Sequence, residues 1–435
     1  MTEAVHLMGV GGVGMSALAE LEAGLGARVS GCDGRDSATL ARLRALGVQA
    51  TVGHDPAHLD GIDRLVLTSA IKPDNPESAA ARARPGLVVE HRSEALARIA
   101  ADRRVVAVAG THGKTTTSAM AVAALEAAGL DPSYAVGSEL IGRGSGARIG
   151  GGDIMVIEAD ESDESFLNYS PLVAVVTNVG VDHLDHYGTA QAYREAFRRF
   201  VGRIQPGGAL VACLAEAGAA ALADWAASLA DAPQIVGFDR GWTDLGLVGK
   251  HLALDAAAAG LAAEWLGAEH ERVRAGLAAF AGTARRFELR GRRNGVRVFD
   301  DYAHHPEEVA PTLEAARERA GRGRVLVVFQ PHLYSRTREF AADFARALEG
   351  ADRVWLLDVY GAREQPMPGV DSGLIASAMA DVPVTWARRR AEVPGSVAAQ
   401  AVPGDIVLTM GAGDVTELGE PILAALADRE PKAAD

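Results

Sequence analysis

The residue with the clearest chemistry is Lys114, in the run Gly110-Thr111-His112-Gly113-Lys114-Thr115-Thr116. Such a loop offers backbone amides and an ammonium to the β- and γ-phosphates of ATP, with the Thr115 hydroxyl directed to Mg2+. Val108 stands where the strict G-x-x-x-x-G-K-[ST] pattern has its first glycine, so the loop is a shortened variant. A chance glycine–lysine turn is the plain alternative. A second glycine loop precedes it: Gly9, Gly11 and Gly14 satisfy G-x-G-x-x-G, and Asp33 follows. That spacing suits a pyrophosphate at a helix N-terminus. A nicotinamide cofactor with Asp33 on a ribose hydroxyl, another nucleotide diphosphate, or a packing turn without ligand would each produce it. Two phosphate-type loops in one chain point to two phosphorylated ligands brought together.

Acidic and histidine residues supply the rest. Glu158 opens the run Glu158-Ala159-Asp160-Glu161-Ser162-Asp163-Glu164 and is placed to ligate Mg2+ through oxygen. The other carboxylates of the run read as a solvated acidic loop, and only Glu158 is given a role. Asn178, then Asp182-His183, follow a later apolar run and suit the γ-phosphate region. Phosphoryl transfer to a carboxylate gathers several negative charges, which makes a second cation reasonable.

These groups need strands that end beneath them. Apolar runs at Val5–Val10, Arg28–Cys32, Leu65–Thr68 and Leu87–Val89 alternate with helical patterns and predict a parallel α/β sheet. A fresh strand at Val105–Ala109 leads into the lysine loop and a helix over Ser118–Ala128. Further strands are expected at Ile154–Ile157 and Leu172–Thr177. Six glycines lie among the eleven residues 142–152, a turn-rich connection. The alanine-rich stretch Leu214–Ala232 is read as packed helix. Near RRFELRG (Arg285–Gly291) the pattern resets, with strands at Val296–Phe299, Val325–Phe329, Arg353–Leu357 and Asp405–Met410. Three α/β domains are expected, over 1–99, 100–293 and 294–435; the tail from Arg429 is expected to fray.

The 435 residues fit about three domains of ~150 residues. A net charge of −14 argues against general nucleic-acid or anionic-membrane binding. Two cysteines, Cys32 and Cys213, provide no disulfide framework. Nowhere do 18 apolar residues run together, and MTEAVHLMGVGGVGMSALAE lacks a cationic segment before an apolar one. The expectation is a soluble, cytoplasmic protein.

Taken in order, GTHGKTTT, EADESDESF, TNVGVDHLDHYG, RRFELRG and DDYAHHPEE resemble the Mur ligase family of peptidoglycan synthesis. GVGGVGMSALA, TSAIKPDNPE, HRSEAL and QPHLYSRTREF narrow the resemblance to the member that adds L-alanine. It implies three domains: a Rossmann-like UDP-sugar domain, a central ATPase and a C-terminal domain for ATP and the amino acid. It implies that the lactyl carboxylate of UDP-N-acetylmuramate attacks ATP, giving an acyl phosphate on which the amine of L-alanine displaces phosphate. Gly11, Gly12, Val13, Gly14, Met15 and Ser16 would then cradle the UDP diphosphate, with Asp33 and Ser69 also on the sugar nucleotide.

Under the same resemblance, residues 110–116 and Asn178 bind ATP, and Lys114 neutralises the transferring phosphoryl group. Thr115 and Glu158 hold one Mg2+ and His183 serves a second. Arg286 contacts ATP phosphates and Asp301 the nucleotide ribose. Tyr302, His304 and His305 face substrate, and His332 and Arg336 serve the amino acid, Arg336 pairing with its carboxylate. Four positions depart from the family pattern: Leu252 and Asp255 replace asparagines after His251, Leu333 replaces an arginine, and Ala303 a glycine. A sister ligase that adds a preformed peptide to UDP-N-acetylmuramate is the alternative within this chemistry, and a nicotinamide-dependent dehydrogenase the alternative outside it. A monomer or weak homodimer is expected, with UDP-N-acetylmuramate and L-alanine as partners.

Overall fold

Runs of Val, Ile and Leu without polar alternation produce strands covered on both faces, the pattern of parallel sheets. The computed structural model describes residues 2–245, 249–362 and 364–428 and has three such sheets. The first is built from β1 (Ala4–Met8), β2 (Arg28–Asp33), β3 (Gln49–Val52), β4 (Arg64–Leu67) and β5 (Val88–His91), all parallel, in the order β3-β2-β1-β4-β5.

The second holds β6 (Arg104–Ala109), β7 (Ser133–Ala135), β8 (Ala147–Arg148), β9 (Ile154–Glu158), β10 (Val173–Val176), β11 (Ala209–Cys213) and β12 (Gln234–Phe238). Its order is β12-β11-β10-β6-β9-β7-β8, with only β8 antiparallel to its neighbour among the described strands. The lysine loop leaves the C-terminal end of central β6 between the ends of β10 and β9, where Asn178 and Glu158 lie. A parallel sheet therefore gathers three distant segments at one rim. The helix Ala190–Val201 backs this rim, burying Tyr193, Ala196, Phe197, Phe200 and Val201 at helical spacing.

The third sheet comprises β13 (Glu288–Arg293), β14 (Val296–Asp301), β15 (Val325–Phe329), β16 (Arg353–Leu356), β17 (Val384–Trp386) and β18 (Ile406–Met410), ordered β13-β14-β18-β15-β16-β17. Apolar cores lie on it, one around Phe299, Phe329 and Phe344, the other around Trp355, Val407 and Ile422.

By compactness the chain divides in two. The first unit holds the first two sheets with Leu252–Ala281, and the second runs from Gly282 and takes in residues 249–251. Strand β13 is hydrogen-bonded to β14 as an antiparallel hairpin of the third sheet. Strands β3, β7, β11, β12 and β17 carried no expectation. The alanine-rich stretch does contain a helix, Ala217–Ala227, but β11 ends just before it and β12 just after. The glycine-rich connection includes β8. The tail from Arg429 lies outside the described residues.

Candidate functional site

At the second sheet's rim the lysine loop is shaped by two glycines. Gly113 has φ +84° and caps the helix Lys114–Ala127, and a side chain there would meet Asp255 Oδ1 at 2.7 Å. Gly110, at φ +146°, is pressed against Thr177. Both conformations favour glycine. Asn178 grips the loop by its backbone, accepting from His112 N at 2.9 Å and donating to His112 O at 3.0 Å. Thr111 turns inward, its Oγ1 3.0 Å from Tyr193 OH and accepting from Gly180 N. Thr116 is buried, and Thr117 donates to Asp255 at 3.0 Å. Asp255 thus braces this loop.

The functional atoms meet in two pairs. Thr115 Oγ1 donates to Glu158 Oε1 at 2.9 Å, and Gly137 N donates to the other Glu158 oxygen. Lys114 Nζ lies 2.9 and 3.0 Å from the two oxygens of Glu161 and also donates to Gly110 O at 2.7 Å. Burial acts to lower the Lys114 pKa, but the charges of Glu161, Asp160 and Glu158 outweigh it and hold the ammonium above its usual range. Glu161 is fully buried, which overturns its reading as part of a solvated acidic loop. Its Oε1 is 3.6 Å from His183 Nε2 and 3.4 Å from Tyr193 OH. Burial likewise opposes the charge on His183, yet Glu161 and Asp182 raise its pKa. His183 sits at φ +53° at the head of the short helix Leu184–Tyr187, so a left-handed turn aims it back at Glu161. Asp160 instead pairs with Arg92 at 3.2 Å.

At the rim of the first sheet, Gly12 starts the helix Val13–Gly24, which has no acidic side chain in its first turn. Gly9 and Val10 donate to Cys32 O, and Gly11 N donates to Asp33 Oδ2 at 3.0 Å. Asp33 therefore tethers the loop. Met15 and Ser16 are buried, Ser16 Oγ donating to Val13 O, so those two could serve a ligand only through their backbones. Val13 is exposed, and Ser69 Oγ lies 3.1 Å from His91 Nε2. Arg92 NH1 approaches Gly14 closely, a guanidinium that the motif reading missed.

The second unit carries the remaining residues. Arg285 (φ +58°) and Phe287 (φ +49°) form a left-handed turn. Arg285 is tied to Asp300 at 3.2 Å and to Gly411 O at 2.6 Å, and the ring of Tyr302 lies under the guanidinia of Arg285 and Arg286. Arg286 is 3.8 Å from Glu308. Asp301 is buried and accepts from Phe287 N at 2.7 Å and Ala303 N at 2.8 Å; burial pushes its pKa up to about 6. Its carboxylate faces the backbone, so a ribose would have to share it. Tyr302, His304 and His332 form an aromatic row with ring centroids 5.3 and 5.6 Å apart, and His332 stacks on Tyr360. Arg336 lies in the first turn of the helix Tyr334–Leu348, entered through Leu333 at φ +68°. His305 departs from expectation: it is buried, caps the helix Pro306–Ala320 and packs on Phe340. Arg285, Asp300, Asp255 and Glu161 are the organising residues that the motifs did not single out. Asp300, beside Asp301 at a strand end, had the clearest sequence signal.

Fold and site together define an α/β chain with glycine loops at the heads of two parallel sheets, one carrying a lysine and its carboxylates. Three family models match it: the Mur ligase family catalytic domain over residues 4–104, the Mur ligase middle domain over 108–240, and the Mur ligase glutamate ligase domain over 285–413. The chain belongs to the Mur ligase family and has its three-domain architecture. It is 53% identical to the UDP-N-acetylmuramate–L-alanine ligase of Kineococcus radiotolerans, across 98% of this chain and 96% of that one. It is 49% identical to the protein of the same name from Saccharopolyspora erythraea, across 100% and 95%. The crystal structure of UDP-N-acetylmuramate-alanine ligase from Thermotoga maritima superposes with a TM-score of 0.81 at 26% identity, covering 97% of this chain and 99% of that one.

Proposed function

We propose that this protein forms the amide bond between UDP-N-acetylmuramate and L-alanine, using ATP and an acyl-phosphate intermediate in peptidoglycan synthesis. The observation that carries the reading is identity of about one half, along almost the full chain, to ligases of that name. In this reading the lactyl carboxylate attacks the γ-phosphorus of ATP and ADP leaves. The amine of L-alanine then adds to the acyl carbon, loses a proton and expels phosphate.

The residues do what these steps require. Amides of the loop 110–115 bind the β- and γ-phosphates, and Lys114 offsets charge on the transferring group. Glu161 pairs with the Lys114 ammonium and holds it in place. The first glycine loop and the helix N-terminus at Val13 hold the UDP diphosphate. In the second unit Arg286 is assigned to ATP phosphates and Asp301 to the ribose. Arg336, with Tyr302, His304 and His332, receives the amino acid, the guanidinium pairing with its carboxylate.

Thr115 and Glu158 place two hard oxygens 2.9 Å apart beside the phosphate loop, a donor set that fits Mg2+. His183, with Glu161 beside it, is assigned to a second cation. Mg2+ would supply charge neutralisation of the phosphate and acyl oxygens.

The test is phosphate release from ATP with Mg2+ and UDP-N-acetylmuramate, comparing L-alanine, glycine, L-serine and an L-Ala-γ-D-Glu-containing tripeptide. L-alanine is expected to drive release best. Release only with the tripeptide would reassign the chain to the peptide-adding ligase, and no release with any of them would remove the catalytic reading.

A further inference from the structure

Beneath the first sheet, apart from every residue assigned above, four metal-ligating side chains converge. They are His6 on β1, Cys32 on β2, His58 in the turn Pro56–Leu59 and Glu77 in the first turn of the helix Pro76–Ala83. One donor atom of each lies within 4.8 Å of all the others. His6 Nε2 is 2.9 Å from Glu77 Oε1, and Cys32 Sγ and His58 Nδ1 are 3.2 and 3.4 Å from Glu77 Oε2. Ligands on a tetrahedral ion with bonds of about 2.0–2.3 Å stand roughly 3.3–3.8 Å apart. The contacts to Glu77 span 2.9–3.4 Å and the remaining donor pairs lie within 4.8 Å, so small side-chain shifts would bring the set to that spacing.

Two further observations separate it from an ordinary buried hydrogen-bond network. First, His6 Nε2 and Glu77 Oε1 are sealed from solvent and pair only with each other, at 2.9 Å. Taking such a pair out of water is costly unless further groups or an ion satisfy it. Second, the outward nitrogens of both histidines are held: His6 Nδ1 is 2.8 Å from Ser30 Oγ, and His58 Nε2 is 3.4 Å from Thr51 Oγ1. That outer shell fixes which nitrogen faces the centre, as it does around metal-bound imidazoles.

We propose that His6, Cys32, His58 and Glu77 form a structural site for a borderline divalent transition metal, with Zn2+ its occupant. A sulfur, two imidazoles and one carboxylate suit Zn2+ and disfavour the all-oxygen ions Mg2+ and Ca2+. His54, partly exposed and 3.2 Å from Cys32 Sγ, stands at the mouth as the entry donor. Capture of the ion replaces the Cys32 S–H bond with a sulfur–metal bond, and the thiol proton leaves to solvent. Cys32 also accepts from Gly9 N and Val10 N through its carbonyl, so the ion would stiffen the base of the first glycine loop.

The test uses the full chain with any affinity tag removed, grown with zinc and dialysed against metal-free buffer. One equivalent of zinc per chain is expected by mass spectrometry. Cobalt(II) added to metal-stripped protein is expected to give tetrahedral ligand-field bands and a thiolate charge-transfer band. That band should vanish in Cys32→Ser and persist in Cys213→Ser, the only other cysteine. Ser30→Ala, which keeps every donor, should weaken zinc binding about 10–100-fold. Zinc removed by dialysis, a cobalt spectrum of the unsubstituted chain without the thiolate band, or a band unchanged in Cys32→Ser would each overturn the site. If Cys32→Ser does not fold, the unsubstituted and Cys213→Ser spectra decide.

Discussion

Lys114 owes its position to a residue 47 places later. Without the Glu161 carboxylate, a lysine ammonium so enclosed would lose protons more readily, since burial alone works against its charge. Lys114→Ala is expected to reduce turnover by ~10²–10³-fold or more while leaving UDP-sugar affinity nearly intact, measured by phosphate release and by calorimetric titration. Equal loss of sugar-nucleotide affinity would contradict two separate phosphate loops. Glu161→Gln keeps a hydrogen-bond acceptor but removes the charge facing Lys114. It should lower kcat with little change in KM for the sugar nucleotide, and lower stability by about 1.5–3 kcal/mol in urea unfolding.

At the scale of elements, loops are held by backbone conformation and by acids that face inward. Gly113→Ala forces a left-handed φ on an L residue and drives its Cβ against Asp255. A rise in KM for ATP and a loss of about 1–3 kcal/mol are expected, read by kinetics and thermal unfolding. The turn at Arg285 and Phe287 is similarly strained and is held by Asp300 and Asp301. Asp301 has a folded-state pKa raised from 3.8 to about 6. Its contribution to stability is therefore fully present below about pH 4 and is lost as pH rises through about 6. In urea unfolding from pH 4 to 7, Asp301→Asn is expected to remove that part of the slope, and a profile parallel to that of the unsubstituted protein would refute the assignment.

Across the whole molecule, the third sheet has its own apolar cores, and its unit begins at Gly282. A fragment beginning at Gly282 is expected to unfold as one cooperative transition of its own, checked by circular dichroism on heating. In the first unit, Arg92–Asp160 ties the helix after β5 to the acidic loop after β9, but both partners are partly exposed. Arg92→Ala should therefore cost under about 1 kcal/mol of stability. Among the described residues no helix is long and apolar enough to cross a membrane.

What the amino-acid order settled alone is what lies within one strand–loop–helix step. The lysine loop, the first glycine loop and the central strands β6, β9, β10, β15 and β18 were legible because apolar runs, glycines and polar strand ends occur within about twenty residues of one another. The edge strands β3, β12 and β17 were not, because short, half-covered strands take their identity from their neighbours. Nor could spacing tell Glu161 from the half-buried carboxylates around it. Its burial beside Lys114, His183 and Tyr193 exists only once β6, β9 and β10 stand side by side. The same holds for Asp255 under Gly113, Asp300 under Arg285, and the His6–Cys32–His58–Glu77 cluster. The charge state and hydrogen bonding of each depend on groups dozens of residues away. Only tertiary packing brings those groups within a few ångströms and excludes the water that would otherwise screen them.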